Sequence, residues 1–283
     1  MGGLYLAEIN RAQHGCIMFL LDQSYSMNDS FAGDAKTSKA KAAADAINDL
    51  LMDLIVRCSL DFEGPRYYFD VGVIGYGSQA GVGPCLGGTL KGRSLVPIGE
   101  LAENQLRVEQ RPKMVSDGSG GLTSTTISFP VWFDPVAEGG TPMQEALKLA
   151  AAVVGPWVAA HQESYPPIVI NITDGEPTTG DPTKAARALT SLHSADGDVL
   201  LYNVHLSALA AAPVSFPASS AKLPDRYAGL LFSMSSEVPH QIREELSVEG
   251  YPAEPGTRGF TFNADAWALL QFLDIGTRVT LGA

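Results

Sequence analysis

Asp22, Ser24 and Ser26 alternate directly behind the apolar run Cys16-Ile-Met-Phe-Leu-Leu21. Residues two apart on extended chain face the same side. A buried strand that ends this way presents one carboxylate and two hydroxyls, and once the chain turns, the three oxygens can converge. Hard oxygen donors of this kind suit Mg²⁺, Mn²⁺ or Ca²⁺ rather than zinc or copper. Asp and Ser are also ordinary turn residues. Alone, the segment reads equally well as a metal loop or as a strand-end turn.

Two later segments bear on that choice. Glu138-Gly-Gly-Thr141-Pro-Met-Gln144 precedes an apolar helical stretch. Thr141 reads as a helix N-cap, Pro142 as the first helical residue and Gln144 as the far side of a capping box. A threonine at a loop–helix junction can still aim its hydroxyl into a cleft. Pro167-Ile-Val-Ile-Asn-Ile-Thr173-Asp174-Gly175 is a second apolar strand that ends in a carboxylate and a glycine turn. An Asx turn would also account for it. Each of these two segments alone favours its cap or turn reading, but all three together, in this order, weigh toward the metal reading.

Asp-x-Ser-x-Ser, then a threonine after Gly-Gly, then Asp-Gly after an apolar strand, resembles the von Willebrand factor type A (vWA) domain and its metal-ion-dependent adhesion site. The resemblance implies that Ser24 and Ser26 bind an ion through their hydroxyls. It implies that Asp22 and Asp174 bind it directly or through water, and that Thr141 engages it according to whether the site is open. Mg²⁺ is the first expectation, with Mn²⁺ or Ca²⁺ as alternatives. Tyr25 stands where many members of that family have glycine. The core resemblance spans residues 15 to 203.

A second, less specific likeness lies in Asn263-Ala-Asp-Ala-Trp-Ala-Leu-Leu-Gln-Phe-Leu-Asp-Ile-Gly276, with Phe19-Leu-Leu-Asp22 and the chain length. These look similar to bacterial cytoplasmic vWA proteins of the tellurite-resistance-associated type. That likeness implies an adaptor or scaffold working beside a protein kinase and a PP2C-like phosphatase in a stress-response or defence system.

Enzymatic readings find less support. A haloacid-dehalogenase-like phosphatase would place Asp-x-Asp where this chain has Asp22 and Ser24. A serine hydrolase would want Gly-x-Ser-x-Gly. His14, His161, His193, His205 and His240 show no HExxH or other metal spacing. Without a nucleophile–base pair the expectation is a binding protein, not an enzyme. Metal-dependent phosphoester hydrolysis through Asp22 is the alternative. A cation held by neutral hydroxyls and two carboxylates keeps residual positive charge, which favours an Asp or Glu from a protein partner.

The formal net charge of −12 opposes nucleic acid and anionic membrane as partners. The longest apolar region, residues 146 to 160, is broken by Lys148, Gly155 and Pro156 and is too short to span a bilayer. Cys16, Cys58 and Cys85 are odd in number and widely spaced, which suits a reducing compartment. The start of the chain lacks the charged-then-apolar pattern of a signal peptide. Cytoplasmic localisation is the expectation.

The candidate ligands need strand ends, and the apolar periodicity supplies them. A helical repeat from Ser38 to Cys58 places Lys39, Lys41, Asp45, Asn48 and Asp49 off its apolar face. Strands are expected at 68–76, 168–173, 198–206 and 259–263. Helices are expected from Thr141 to about His161, from Asp181 to about Ser194, near 238–247 and from 264 to about 275. Residues 77–134 read as a Gly-rich, β-rich insertion and 207–237 as a long loop insertion. The whole, residues 1–283, is expected to be one α/β domain with a doubly wound, mostly parallel central sheet flanked by helices, vWA- or Rossmann-like. Ligand sites in such sheets lie outside the carboxyl ends of the strands, where Asp22 and Asp174 fall.

Overall fold

In the computed structural model, which describes residues 4–31, 34–59, 64–116, 121–207, 211–264 and 266–277, the apolar runs become strands and the 3.6-residue repeats become helices. In chain order the elements are β1 (Gly15–Asp22), β2 (Ser30–Phe31), β3 (Asp34–Ser38), α1 (Lys39–Cys58), β4 (Phe69–Ser78), β5 (Gly81–Pro84) and β6 (Val96–Pro97). There follow α2 (Ile98–Glu103), β7 (Arg107–Ser116), β8 (Leu122–Val131), α3 (Met143–Ala160), β9 (Ile168–Thr173) and α4 (Thr183–Thr190). The chain continues through β10 (Leu200–His205), β11 (Val214–Ser215), α5 (Arg226–Met234), α6 (His240–Val248), β12 (Phe260–Phe262) and α7 (Ala266–Gly276).

The central sheet runs β11-β12-β10-β9-β1-β4-β5, with β6 also paired to β4. The inner strands β12, β10, β9, β1 and β4 are all parallel, and β5, β6 and β11 are antiparallel additions at its margins. The chain leaves β1 toward β4 and β5, then crosses back to add β9, β10 and β12 on the other side. The direction of winding therefore changes between β1 and β9, which is where a doubly wound sheet opens a crevice.

Every residue of β1 is buried. Its side chains alternate between two cores. Ile17, Phe19 and Leu21 join α1, α2, α6 and α7, whereas Cys16, Met18 and Leu20 join α3, α4 and α5. A strand covered on both faces must be apolar throughout, which is why β1 and β9 stand out in the sequence. One polar line crosses this interior. Tyr76 donates to Asn171 Oδ1 (2.7 Å), Asn171 to Asn203 Oδ1 (2.9 Å) and Asn203 to Ser235 Oγ (3.0 Å), all four side chains being buried.

Several expectations are revised. Residues 77–134 are not uniformly an insertion, since β5 and β6 complete the central sheet and α2 is helical. The β-rich character belongs to β7 and β8, a separate hairpin paired from Arg107↔Val131 to Ser116↔Leu122. Within 207–237 lies the helix α5, capped by Asp225, which accepts from the Tyr227 and Ala228 amides. α4 ends at Thr190, short of the expected Ser194. Lys39 and Asn48 are buried rather than solvated. Asn48 accepts from Trp132 N (2.9 Å) and donates to Phe133 O (3.3 Å), tying α1 to the chain that leaves the hairpin.

Gly77, at the carboxyl end of β4, has φ +103°, and a Cβ there would stand 2.2 Å from Gly140 O. Gly83, in β5, has open space around it and no positive φ. Backbone strain and a forced clash together cost roughly 2–4 kcal/mol. Gly77→Ala is therefore expected to lose about that much stability in urea unfolding, and Gly83→Ala about 0.5 kcal/mol or less. Equal losses in the two variants would show that the close approach of Gly77 to Gly140 is not a constraint.

Candidate functional site

Asp22 ends β1 with no exposed surface. Its Oδ1 accepts from Ser24 N (2.8 Å) and its Oδ2 from Thr173 Oγ1 (2.6 Å). Burial pushes its carboxyl up to about 6. The hydrogen bonds from Thr173 and Ser24 pull the other way, and the nearby charge of Asp174 adds a smaller upward push. Thr173 is the last residue of β9, so this bond joins the two strands at the crevice between them.

Ser26 donates to Asp174 Oδ1 (2.9 Å) and lies 3.1 Å from Ser24 Oγ. A hydroxyl has one proton. Ser26 spends it on Asp174, so Ser24 is the donor to Ser26. The second oxygen of Asp174 receives Lys39 Nζ at 3.1 Å, and the same ammonium lies 3.4 Å from Asp29 Oδ2. The Lys39 and Asp174 side chains are 3% and 7% exposed, whereas Asp29 is 61% exposed. The buried charge pair is thus Lys39 with Asp174.

Ser24 pairs with Gly139 as a parallel bridge, and Tyr25 N donates to Gly139 O (2.8 Å). A Cβ on Gly139 would stand 2.4 Å from Gly77 O. The Gly-Gly pair is what lets this segment lie against β4 and the Ser24 loop. Thr141 follows, 4% exposed. It is not the helix cap: α3 starts at Met143, Pro142 occupies the cap position, and no side chain caps the helix. Instead the backbone of Thr141 exchanges bonds with Thr178, whose Oγ1 accepts from Thr141 N (2.8 Å) and whose N donates to Thr141 O (3.0 Å). Among the described residues the Thr141 hydroxyl makes no hydrogen bond.

Four of the five expected ligands, Asp22, Ser24, Ser26 and Asp174, thus form one hydrogen-bonded group, and Thr141 is brought to it through the Gly139–Ser24 pairing. Cis ligands at ~2.1 Å on an octahedral ion stand ~3.0 Å apart. The Ser24–Ser26 and Ser26–Asp174 separations of 3.1 and 2.9 Å fit that edge. Two hydroxyls, two carboxylates and a spare threonine hydroxyl make a donor set suited to a hard dication. Tyr25, 71% exposed, stands at the rim.

Sequence reasoning missed three contributors. The helical repeat puts Lys39 only off the apolar face of its helix and names no partner for it. Its position as the first residue of α1, a helix with no acidic residue in its first turn, carries a signal, because a cation is disfavoured at a helix N-terminus unless something holds it. Thr173 and Thr178 carry no such signal. His205 belongs to the histidines without metal spacing. It is buried in β10, and its Nε2 donates to Asp174 O (3.0 Å) behind the site. Burial keeps its imidazole below the ordinary range.

No protein-family model matches the chain, and neither does any curated protein. Among solved structures, proximal thread matrix protein 1 from the mussel byssus is similar over 71% of this chain, at 15% identity and a TM-score of 0.37. The pilus adhesin RrgA from Streptococcus pneumoniae is similar over 58%, at 16% identity and a TM-score of 0.28. The matches span 37% and 21% of those two chains. Among the described residues, no helix is long and apolar enough to cross a membrane.

The folded chain holds the Asp22 proton up to about pH 6, against an ordinary 3.8. A raised carboxyl stabilises the fold below the unfolded value, and that contribution is lost as pH rises through the folded one. The loss is on the order of 2–3 kcal/mol. In EDTA, the thermal midpoint of the chain is expected to fall between pH 4 and 7 relative to that of Asp22→Asn, which keeps the shape without the charge. Parallel profiles for the two proteins would refute this account of Asp22.

Proposed function

We propose that this chain is a metal-dependent protein-binding module of the vWA type. A divalent cation, Mg²⁺ first, with Mn²⁺ or Ca²⁺ also acceptable, is held by Asp22, Ser24, Ser26, Thr141 and Asp174. A partner protein completes the site with an Asp or Glu. The observation that carries this reading is the Ser24–Ser26–Asp174 chain with a Thr141 hydroxyl left over. The two spacings are those of ordinary hydrogen bonds and also match the edge of an octahedral ion, and they bring the hydroxyls of the loop after β1 onto the carboxylate after β9.

The bound cation would supply a Lewis-acid contact to one carboxylate oxygen. The chain's own residues set how strongly that contact attracts. Asp22 and Asp174 contribute −2 and Lys39 contributes +1 beside them. A dication would bring the buried total to 2 − 2 + 1 = +1. The exposed Asp29 is screened by water and offsets little of it. Lys39 therefore weakens the cation's hold and strengthens the site's pull on an external carboxylate.

The alternative of phosphoester hydrolysis through Asp22 is poorly served by this geometry. Its carboxylate is fully buried and both oxygens accept hydrogen bonds, which blunts a nucleophile. A cytoplasmic adaptor role beside a kinase and a PP2C-like phosphatase, in a stress-response system, rests on the sequence resemblance alone.

Calorimetric titration with Mg²⁺ tests the metal reading. One ion per chain is expected at millimolar concentration or better, with binding lost in the paired Ser24→Ala and Ser26→Ala variant. No heat from the wild type, or the same heat from the variant, would overturn it. Lys39→Met should bind Mg²⁺ at least roughly tenfold more tightly, because it removes a like charge, even though the fold itself loses stability when Asp174 is left without its partner. A captured partner protein should be released by EDTA and weakened by Thr141→Ala. Capture that survives both would place the interaction on another surface.

A further inference from the structure

The opposite end of the sheet carries a second constellation that no motif in the sequence announces. His14 immediately precedes β1, Asp70 is the second residue of β4, and His161 is the C-cap residue of α3. One ligand atom from each of the three lies within 4.8 Å of the others. The parallel register that sets Gly15 against Phe69 and Cys16 against Asp70 brings the first two together. Trp157 brings the third. Its ring stacks on His161 with centroids 4.3 Å apart, and its Nε1 donates to Asp70 Oδ2 (2.8 Å).

The hydrogen bonds fix which ring nitrogens are free. His14 Nε2 lies 2.7 Å from Arg11 O, and His161 Nδ1 lies 2.8 Å from Trp157 O. A carbonyl oxygen can only accept, so each of these nitrogens carries a proton, and in a neutral imidazole the other nitrogen of the ring holds the lone pair. His14 Nδ1 is buried and has no hydrogen-bond partner. Asp70 is buried and accepts from Tyr67 Oη on Oδ1 (2.8 Å) and from Trp157 on Oδ2, one bond per oxygen. Each oxygen therefore retains a lone pair. Histidines that donate one ring N–H to a carbonyl and a carboxylate held by donors are the supports that orient ligands around a metal.

We propose that His14, Asp70 and His161 form a zinc site, separate from the Asp22 site and independent of it. Two imidazoles and a carboxylate suit Zn²⁺, and three protein ligands leave a fourth position for water or an external ligand. Tetrahedral ligands at ~2.1 Å stand ~3.4 Å apart, so groups that lie within 4.8 Å of one another close by at most ~1.4 Å on binding. β1 separates the two sites by roughly 25 Å at ~3.3 Å per residue. An ion here would clamp the amino ends of β1 and β4 to the carboxyl end of α3.

The test uses the full chain stripped with a chelator and then titrated with Zn²⁺, and separately with Co²⁺ followed by visible absorption. One Zn²⁺ per chain is expected, with a rise in thermal midpoint and a tetrahedral Co²⁺ spectrum. His14→Gln and His161→Gln, each verified as folded by circular dichroism, should bind at least ~100-fold more weakly, while the paired Ser24→Ala and Ser26→Ala variant should bind Zn²⁺ like the wild type. The proposal is overturned if the wild type takes up no zinc at about 0.1 mM. It is equally overturned if both histidine variants bind like the wild type, or if the serine variant loses the zinc.

Discussion

A carboxylate with no water around it has to be satisfied by the protein, and Asp22 is such a group. Leaving a buried charge unsatisfied costs several kcal/mol. The chain answers with a backbone amide from its own loop and a hydroxyl from the end of β9. Those two bonds set much else. They require β1 and β9 to end at the same level, and they curl the Ser24 loop back so that its hydroxyl meets Ser26. The curled loop then needs Gly139 as its neighbour, because only a residue without a side chain lets β4 come so close. The crevice of the sheet is therefore shaped by how one acid is accommodated.

The same logic places Lys39. Its ammonium sits at the amino end of α1, where the helix dipole disfavours a cation, and it stays because Asp174 needs a counter-charge. Both charges are withdrawn from water, so neither can be removed without exposing the other to an apolar interior. The pair also sets the site's electrical character. With Lys39 in place, the carboxylates hold a net charge of −1 rather than −2. For the proposed cation, the pocket is consequently a weaker trap than its oxygen count suggests.

How much of this could be read from residue order depends on how local each signal is. β1, β9 and the helix α1 were legible because strands covered on both faces are apolar throughout and an amphipathic helix repeats its pattern. Asp22, Ser24, Ser26 and Asp174 were legible because each follows directly on such a strand. Thr141 is reached in the sequence through a cap reading that the structure does not bear out. Its cap reading depended on a one-residue placement that Pro142 takes instead. Lys39 was hidden because periodicity assigns any charged residue to solvent, and its partner is 135 positions away. The helix α5 was hidden by Gly229 in its middle and by the Pro- and Ser-rich run before it. His14, Asp70 and His161 come from three elements, so no spacing rule could join them, and only the sheet register does.

The buried line from Tyr76 through Asn171 and Asn203 to Ser235 has a further consequence, one for how the sequence can drift. Tyr76 and Asn171 meet their neighbours in the line, and Asn203 and Ser235 donate to Leu231 O as well. Replacing one with an apolar residue strands a partner, whereas exchanging the whole set for well-packed apolar side chains can be nearly neutral. Tyr76, Asn171 and Asn203 are therefore coupled to one another in what they tolerate. A single apolar replacement at Tyr76, Asn171 or Asn203 is thus costlier than a concerted exchange of all of them. The line also records strand order in chemical form, since a one-residue slip of β4, β9 or β10 would turn its polar member to the other face of the sheet.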